Sequence, residues 1–174
     1  MLQLRMLRPE DERSFRSAVA EFARETPPWQ FAFGFDESVV FADYVRMLES
    51  WSKGIDVPSG FVPNTYFVGV VDGVIVGRLS LRHSLNDFLA QVGGHIGYGV
   101  IPSRRRQGYA TEMLRQVVPV CVSLEIRRAL LTCDDDNVAS EKVIQACGGV
   151  FEGFADAPGL EKPKKRYWIE MKAT

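Results

Sequence analysis

The stretch GYGVIPSRRRQGYATEML, residues 97–114, is the part of the sequence that decides the fold. It opens with a β-rich run that Pro102 ends, continues through a basic loop, and closes with apolar residues at helical spacing. Such a loop can direct several backbone N–H groups at one point, and the helix that follows adds unpaired amides and the positive end of its dipole. A phosphate group suits this arrangement, but a solvated loop that caps a helix would show the same pattern.

Glycine and arginine have different uses in this loop. Gly108 lets the main chain approach a ligand closely, Ala110 keeps a bulky side chain away, and residues 104–106 add three arginines. The helix dipole contributes only about 0.3–1 kcal/mol, so the amides and arginines must provide most of the binding. An ATP-binding loop is not expected, because no Gly-Lys-Ser or Gly-Lys-Thr ending supplies the lysine and the magnesium-binding hydroxyl.

Hydrophobic periodicity predicts a mixed order of strands and helices around this stretch. The predicted strands are residues 2–6, 66–71, 74–81, 95–101, 129–132, 150–154 and 166–171. The predicted helices run from Asp11, from about Asp36 to Trp51, from Ala110 to Cys121 with a distortion at Pro119, and from Asn137 to Cys147. A tight hairpin is expected at Asp72-Gly73, and a loop is expected over residues 84–90.

The element order favours one α/β (α+β) domain over residues 1–174, with a mixed, mostly antiparallel sheet and helices on both faces. The N-terminal third is rich in aromatic residues, including Trp29, which either pack in the core or enclose a substrate. The three cysteines are an odd number without metal-ligand spacing, which indicates reduced thiols. No apolar run is long enough to span a membrane, so a soluble, cytoplasmic protein is expected.

Residues of the loop resemble a known family. The pattern Arg105, Gly108, Ala110 is similar to the pyrophosphate-binding loop of the GNAT superfamily of N-acetyltransferases. The resemblance extends over roughly residues 65–174, and the motifs that carry it downstream are Asp134–Asn137, Ser140 and Gly148–Phe151. Within the superfamily, residues 96–98 and 110–112 look closest to the ribosomal-protein alanine acetyltransferase branch.

This resemblance implies the GNAT fold, in which splayed central strands admit the pantetheine arm of acetyl-coenzyme A. It implies an enzyme that passes the acetyl group to a primary amine, by direct attack in a ternary complex and without a metal. A backbone N–H at Val100 or Ile101 would polarise the thioester carbonyl. The residues expected at the coenzyme are Val100, Ile101, Arg105, Arg106, Gln107, Gly108, Tyr109, Ala110, Thr111, Asn137 and Ser140. Asn137 has an equally good interpretation as a helix N-cap.

Proton transfer has few candidates. An amine is usually protonated near neutral pH, so a base is needed, and His83 and His95 are the candidates for it. Many family members place a tyrosine where this chain has Ile144, so Tyr167 is the candidate acid. Arg82 and Asn86, beside His83, are expected to bind the substrate.

Two other classes of function stay open. A non-catalytic acyl-coenzyme A sensor would explain Ile144, and turnover of any amine would exclude it. A nucleic-acid contact through Arg104–Arg106 is disfavoured, because 21 basic and 22 acidic residues nearly cancel. The identity of the acceptor and the oligomeric state, a homodimer among the alternatives, are not determined by the sequence.

Overall fold

The computed structural model describes residues 1–26, 30–36, 38–155 and 161–172. The strands are β1 Gln3–Met6, β2 Asn64–Val71, β3 Val74–Arg82, β4 Ile96–Val100, β5 Arg128–Asp134, β6 Val150–Ala155 and β7 Lys164–Glu170. The helices are α1 Glu12–Phe22, α2 Phe41–Ser52, α3 Tyr109–Gln116, α4 Val118–Ser123 and α5 Val138–Ala146. Short 3₁₀ turns cover Pro9–Asp11 and Pro102–Arg104, and a π-helical segment covers Leu89–Gly93.

The strands form two antiparallel sheets, in the orders β1-β2-β3-β4 and β5-β7-β6. The turn between β2 and β3 is the expected hairpin, because Asp72 and Gly73 have φ angles of 49° and 77°. Helices cover both faces. α1 and α2 pack with one buried cluster, and α3, α4 and α5 pack with the other. The predicted fold class is therefore confirmed.

The two sheets meet at one end of β4 and β5. The His95 N–H donates to the Leu130 carbonyl at 2.7 Å, and the Leu130 N–H donates to His95 Nδ1 at 3.0 Å. Beyond this point, in the described part of the chain, β4 and β5 are not paired as neighbouring strands of one sheet. The strands thus begin side by side and then separate, which opens a gap toward Val100 and Asp134.

Some elements differ from their sequence predictions. The expected loop over residues 84–90 leads into the π-helical segment, because Asn86 Oδ1 caps it by accepting the Leu89 N–H at 2.9 Å and Leu89 is buried. α2 begins at Phe41 instead of Asp36, whose carboxylate accepts the Ser38 N–H in a turn. Trp29, one of the aromatic residues of the N-terminal third that are expected to pack in the core or enclose a substrate, falls outside the described residues.

The helix predicted from Ala110 to Cys121 is divided at Val117. α3 ends at Gln116 and α4 begins at Val118. Pro119 has no N–H to donate to the carbonyl four residues earlier, and its ring crowds that carbonyl. The predicted distortion is confirmed. Within the described ranges, no helix combines the length and the apolar character needed to cross a bilayer.

Gly94 determines how closely the two sheets approach, so we expect its substitution to be costly. It has φ 64° and ψ −174°, a conformation that is nearly confined to glycine. A Cβ atom there would lie 2.3 Å from the Leu130 carbonyl oxygen. Gly94→Ala should lower the free energy of unfolding by about 3 kcal/mol or more, since about 1–3 kcal/mol comes from the backbone alone. Urea denaturation measures this loss.

Gly73→Ala is the matched control. Gly73 also has positive φ, but a Cβ atom there would have no neighbour within 4 Å. This variant should lose only about 1–2 kcal/mol. Equal losses in the two variants would show that the close approach at Leu130 does not matter.

Candidate active site

A cavity of about 630 Å³ lies between β4, the loop after it, and the starts of α3 and α5. Nine of the eleven residues expected at a coenzyme line this cavity: Val100, Arg105, Arg106, Gly108, Tyr109, Ala110, Thr111, Asn137 and Ser140. Ile101 and Gln107 do not line it. Phe22, Glu25, Tyr98, Gly99, Arg104, Ala139 and Val143 complete the lining. The structure therefore brings most of the predicted residues to one place, although they come from separate elements.

The loop presents backbone amides to this cavity. Gly108 is the N-cap of α3 and has φ 80°, and Arg106 also has positive φ, at 61°. The first N–H that bonds back within the helix is that of Glu112, which donates to the Gly108 carbonyl at 3.0 Å. The amides of residues 109–111 precede it and have no acceptor in the helix. Amides placed in this way can bind an anion at the positive end of α3.

Two glutamates at and just after the end of α1 hold the loop, and no sequence pattern predicts their role. Glu21 accepts the Ser103 N–H at 2.6 Å and its hydroxyl at 3.0 Å. Glu25 accepts Arg105 Nη1 at 2.9 Å, and this bond lowers the pKa of the Glu25 carboxyl. Glutamates on a helix surface are common, so the sequence offered no signal for these contacts.

The ion pair changes the role of Arg105. Its Nε also donates to the Val100 carbonyl at 3.1 Å, so the side chain ties β4 to the loop and to α1. Because Glu25 offsets its charge, the net positive charge beside the cavity comes from Arg104 and Arg106. Both of these side chains are exposed.

The hydrogen-bond pattern of β4 distinguishes Val100 from Ile101. The Ile101 N–H donates to the Val76 carbonyl at 2.9 Å, and the His95 carbonyl accepts the Arg82 N–H at 2.8 Å. Odd-numbered residues of β4 thus direct their backbone groups toward β3. Since these directions alternate along a strand, Tyr98 and Val100 direct theirs into the gap beside β5. Of the two expected amides, only that of Val100 faces the gap.

α5 begins at the far wall of the cavity. Asn137 Oδ1 accepts the Ser140 N–H at 3.0 Å, so Asn137 caps the helix as well as lining the cavity. The Ser140 hydroxyl is 2.9 Å from the Tyr98 hydroxyl, which donates to the Ser140 carbonyl at 3.2 Å. Burial raises the pKa of Tyr98, so its phenol keeps its proton near neutral pH.

A second cavity, of about 280 Å³, lies on the α2 side of the first sheet. Its lining is mostly apolar and contains both residues expected to bind a substrate: Phe33, Trp51, Gly60, Phe61, Val62, Asn64, Ser80, Arg82, Asn86, Phe88 and Leu89. The Asn86 side chain forms hydrogen bonds with the backbone of the cavity wall. Its Nδ2 donates to the Gly60 carbonyl at 3.0 Å, and its Oδ1 accepts the Leu89 N–H. Among the described residues that line it, Arg82 is the only cation.

The two histidines predicted as bases lie outside the lining of both cavities. His83 Nε2 is 2.8 Å from the Thr65 hydroxyl, and burial lowers the pKa of this ring. His95 has its pKa lowered by burial and then by the charge of Arg82. Because His95 Nδ1 accepts the Leu130 N–H, the neutral ring carries its proton on Nε2. His95 could accept a proton only by breaking the hydrogen bond from the Leu130 N–H to Nδ1, one of the two that join the sheets there.

Tyr167 also lies outside both cavity linings. Its hydroxyl donates to Glu141 Oε1 at 2.6 Å, and burial followed by that carboxylate raises its pKa. Ile144 is fully buried in the core, so the usual tyrosine position is filled by packing. In the described ranges, no group of three or more His, Cys, Asp or Glu side chains could hold a metal ion.

The family profile described as "Acetyltransferase (GNAT) domain" matches residues 2–150. The chain belongs to the GNAT acetyltransferase family. The profile covers the loop, the splayed strands and most of the aromatic N-terminal third, so the predicted family and enzyme class are confirmed. A search of curated proteins gives no match.

Solved structures agree with this assignment at the level of the fold. RimJ of Mycobacterium smegmatis, in complex with a coenzyme A disulfide, is 22% identical, with 97% of this chain and 81% of that chain covered and a TM-score of 0.71. The ribosomal-protein-S5-alanine acetyltransferase of Vibrio fischeri is 17% identical, with 98% of this chain and 93% of that chain covered and a TM-score of 0.70. The putative acetyltransferase yncA of Salmonella typhimurium was solved with its cofactor acetyl-CoA. It is 12% identical, with 99% of this chain and 95% of that chain covered and a TM-score of 0.64.

Proposed function

We propose that this GNAT protein transfers an acetyl group from acetyl-CoA to a primary amine, of a small molecule or a protein N-terminus, by direct attack in a ternary complex. The observation that carries the proposal is the larger cavity, where the amides of residues 109–111 and the gap beside Val100 are continuous. Structural relatives support it, since RimJ was solved with a coenzyme A disulfide and yncA with acetyl-CoA.

The coenzyme would extend along this cavity. Its pyrophosphate would accept hydrogen bonds from the amides of residues 109–111, with Arg104 and Arg106 beside them. Its pantetheine arm would lie in the gap between β4 and β5, past Asn137 and Ser140. The Val100 N–H would then donate to the thioester carbonyl, which gains negative charge as the amine attacks.

The amine would approach from the smaller cavity. Ser80, which lines that cavity, is paired with Gly97 on β4, and directly paired residues share a face of the sheet. Gly99, two residues further along the same face, lines the larger cavity. Two residues of strand span about 7 Å. Without side chains at Gly97 and Gly99, this face leaves room for a nucleophile beside the thioester.

We assign Tyr98 as the acid that protonates the departing thiolate. It lines the larger cavity, and its hydroxyl is held by Ser140. Burial raises its pKa, so the phenol is protonated near neutral pH when the thiolate leaves, and the proton that the attacking amine loses then restores it. It replaces Tyr167 as the preferred acid, because Tyr98 lines the cavity whereas Tyr167 lies outside it, with its hydroxyl donating to the Glu141 carboxylate.

A non-catalytic sensor of acyl-CoA is the alternative function. The observation that favours it is the burial of Ile144, which leaves no acid at the usual position. A sensor would bind the coenzyme and release no free thiol with any amine. Turnover decides between the two functions.

Calorimetric titration with acetyl-CoA, with ATP as the comparison ligand, tests the coenzyme site. We expect acetyl-CoA to bind with a dissociation constant in the micromolar range, and ATP to give no comparable heat. Gly108→Glu should weaken acetyl-CoA binding by at least about 30-fold, because it places a carboxylate where the pyrophosphate lies.

Gly108→Ala is the control for the backbone. Both variants carry the same left-handed strain of about 1–2 kcal/mol, and a Cβ atom at Gly108 would have no neighbour within 4 Å. Gly108→Ala should therefore keep most of the affinity. If the glutamate variant binds as tightly as the alanine variant, the loop is not the pyrophosphate site.

Tyr98→Phe tests the assignment of the acid. The variant keeps the ring and removes the proton, so kcat should fall about 100-fold while the KM for acetyl-CoA stays nearly constant. Tyr109→Phe, in the same cavity, is the matched control and should keep its kcat. Steady-state assays of thiol release measure both, and an unchanged kcat in Tyr98→Phe would rule out this role.

A further inference from the structure

Aromatic side chains among the described residues give the smaller cavity an exposed apolar wall. Phe61 and Phe88 line it with 62% and 63% of their surfaces exposed. Trp51 lies beside Phe61, with 6.4 Å between the ring centroids. Large apolar side chains grouped at an opening favour a ligand that covers them. The wall suits a flat or branched apolar group.

Arg82 places a positive charge on the floor of this cavity. Its Nη1 donates to the carbonyls of Gly93 and Gly94, both at 3.0 Å. Among the described residues no carboxylate forms an ion pair with Arg82, and none of those lining the cavity is Asp or Glu. A mostly buried guanidinium with spare N–H donors favours an anion beside it.

The guanidinium of Arg78 adds to the positive charge of Arg82. A Cβ atom on Gly97 would lie 3.6 Å from Arg82 Nη2 and 3.8 Å from Arg78 Nη1. Arg78 Nη2 donates to the Gln30 carbonyl at 2.9 Å, and its guanidinium lies over the Phe33 ring. Burial is the main reason why the pKa of Arg78 is lowered to about 10, and the charge of Arg82 is a weaker cause in the same direction. A cationic ligand would meet repulsion here.

We propose that the acceptor is a small amine with an aromatic or apolar body and a carboxylate that Arg82 binds, the chemistry of an aromatic α-amino acid. This inference rests on the proposed transferase function. The carboxylate would lie at Arg82, the body against Trp51 and Phe61, and the amine toward Gly97. A volume of about 280 Å³ suits a molecule of that size.

The same charges prepare the amine for attack. In a free amino acid the carboxylate stabilises the ammonium group. Pairing that carboxylate with Arg82 removes the effect, and the positive field further favours the neutral amine. A neutral amine can attack the thioester without a strong base, which is consistent with the positions of His83 and His95 outside the cavity linings.

Initial rates of thiol release at saturating acetyl-CoA test the substrate class. The amines compared are L-phenylalanine, phenethylamine, which lacks the carboxylate, putrescine, which is a dication, and a tetrapeptide with an amidated C-terminus. L-Phenylalanine should exceed phenethylamine in kcat/KM by at least about tenfold, because only it pairs with the buried guanidinium. Putrescine should give no measurable transfer.

Asn64→Asp is the variant that isolates the charge. Asn64 lines the cavity and is the register partner of Arg82 on the neighbouring strand. The change keeps the size of the side chain and the bond that its Oδ1 accepts from the Ser80 hydroxyl at 2.6 Å. It supplies a carboxylate that competes with that of the substrate. The kcat/KM for L-phenylalanine should fall at least about tenfold, mainly through KM, while phenethylamine is little affected.

Two controls accompany this variant. Gln3→Glu makes the same change in charge on the exposed surface of β1 and should leave all rates unchanged. The dissociation constant for acetyl-CoA should stay the same in both variants, because neither position lines the coenzyme cavity.

The outcomes separate this inference from the proposed function. Equal rates with phenylalanine and phenethylamine, or equal losses for both in Asn64→Asp, would overturn the role of Arg82. Transfer only to putrescine, or only to a tetrapeptide with an amidated C-terminus, would overturn the substrate class and leave the transferase function intact. Coenzyme binding without transfer to any amine would overturn both.

Discussion

The contact between His95 and Leu130 is the constraint on which the rest of this structure depends. Two hydrogen bonds join the sheets there, and Gly94 allows the backbones to approach so closely. Since no further ladder pairs follow within the described chain, this edge of β4 lacks a strand partner, and the Val100 carbonyl there accepts Arg105 Nε instead. An open strand edge is normally an aggregation hazard, and here it faces a cavity that a coenzyme arm can fill.

The loop after β4 turns this gap into a site. It is tied to β4 by Arg105 and to α1 by Glu21 and Glu25, so its amides are positioned before any ligand arrives. The individual surface contacts contribute little stability, because exposed ion pairs contribute only about 0–1 kcal/mol. Their value lies in preorganisation, which lowers the conformational cost of binding an anion.

The sequence predicted the parts of the molecule that local chemistry determines. The hairpin at Asp72-Gly73, the cap at Asn137 and the break near Pro119 depend on the backbone preferences of residues close in sequence, and each is confirmed. The contacts of Glu21 and Glu25 with the loop join residues about 80 positions apart, and no local pattern announces them. The distinction between Val100 and Ile101 likewise required the register with β3. The catalytic roles of His83, His95 and Tyr167 stay predictions, since charge and burial at these positions depend on the whole fold.

A crystal structure with a non-hydrolysable analogue of acetyl-CoA is the decisive measurement. We expect the analogue to occupy the gap between β4 and β5, with its carbonyl oxygen about 3 Å from the Val100 nitrogen and its pyrophosphate on the amides of residues 109–111. An analogue bound elsewhere, or one whose carbonyl oxygen lies beyond hydrogen-bonding distance of Val100, would contradict it.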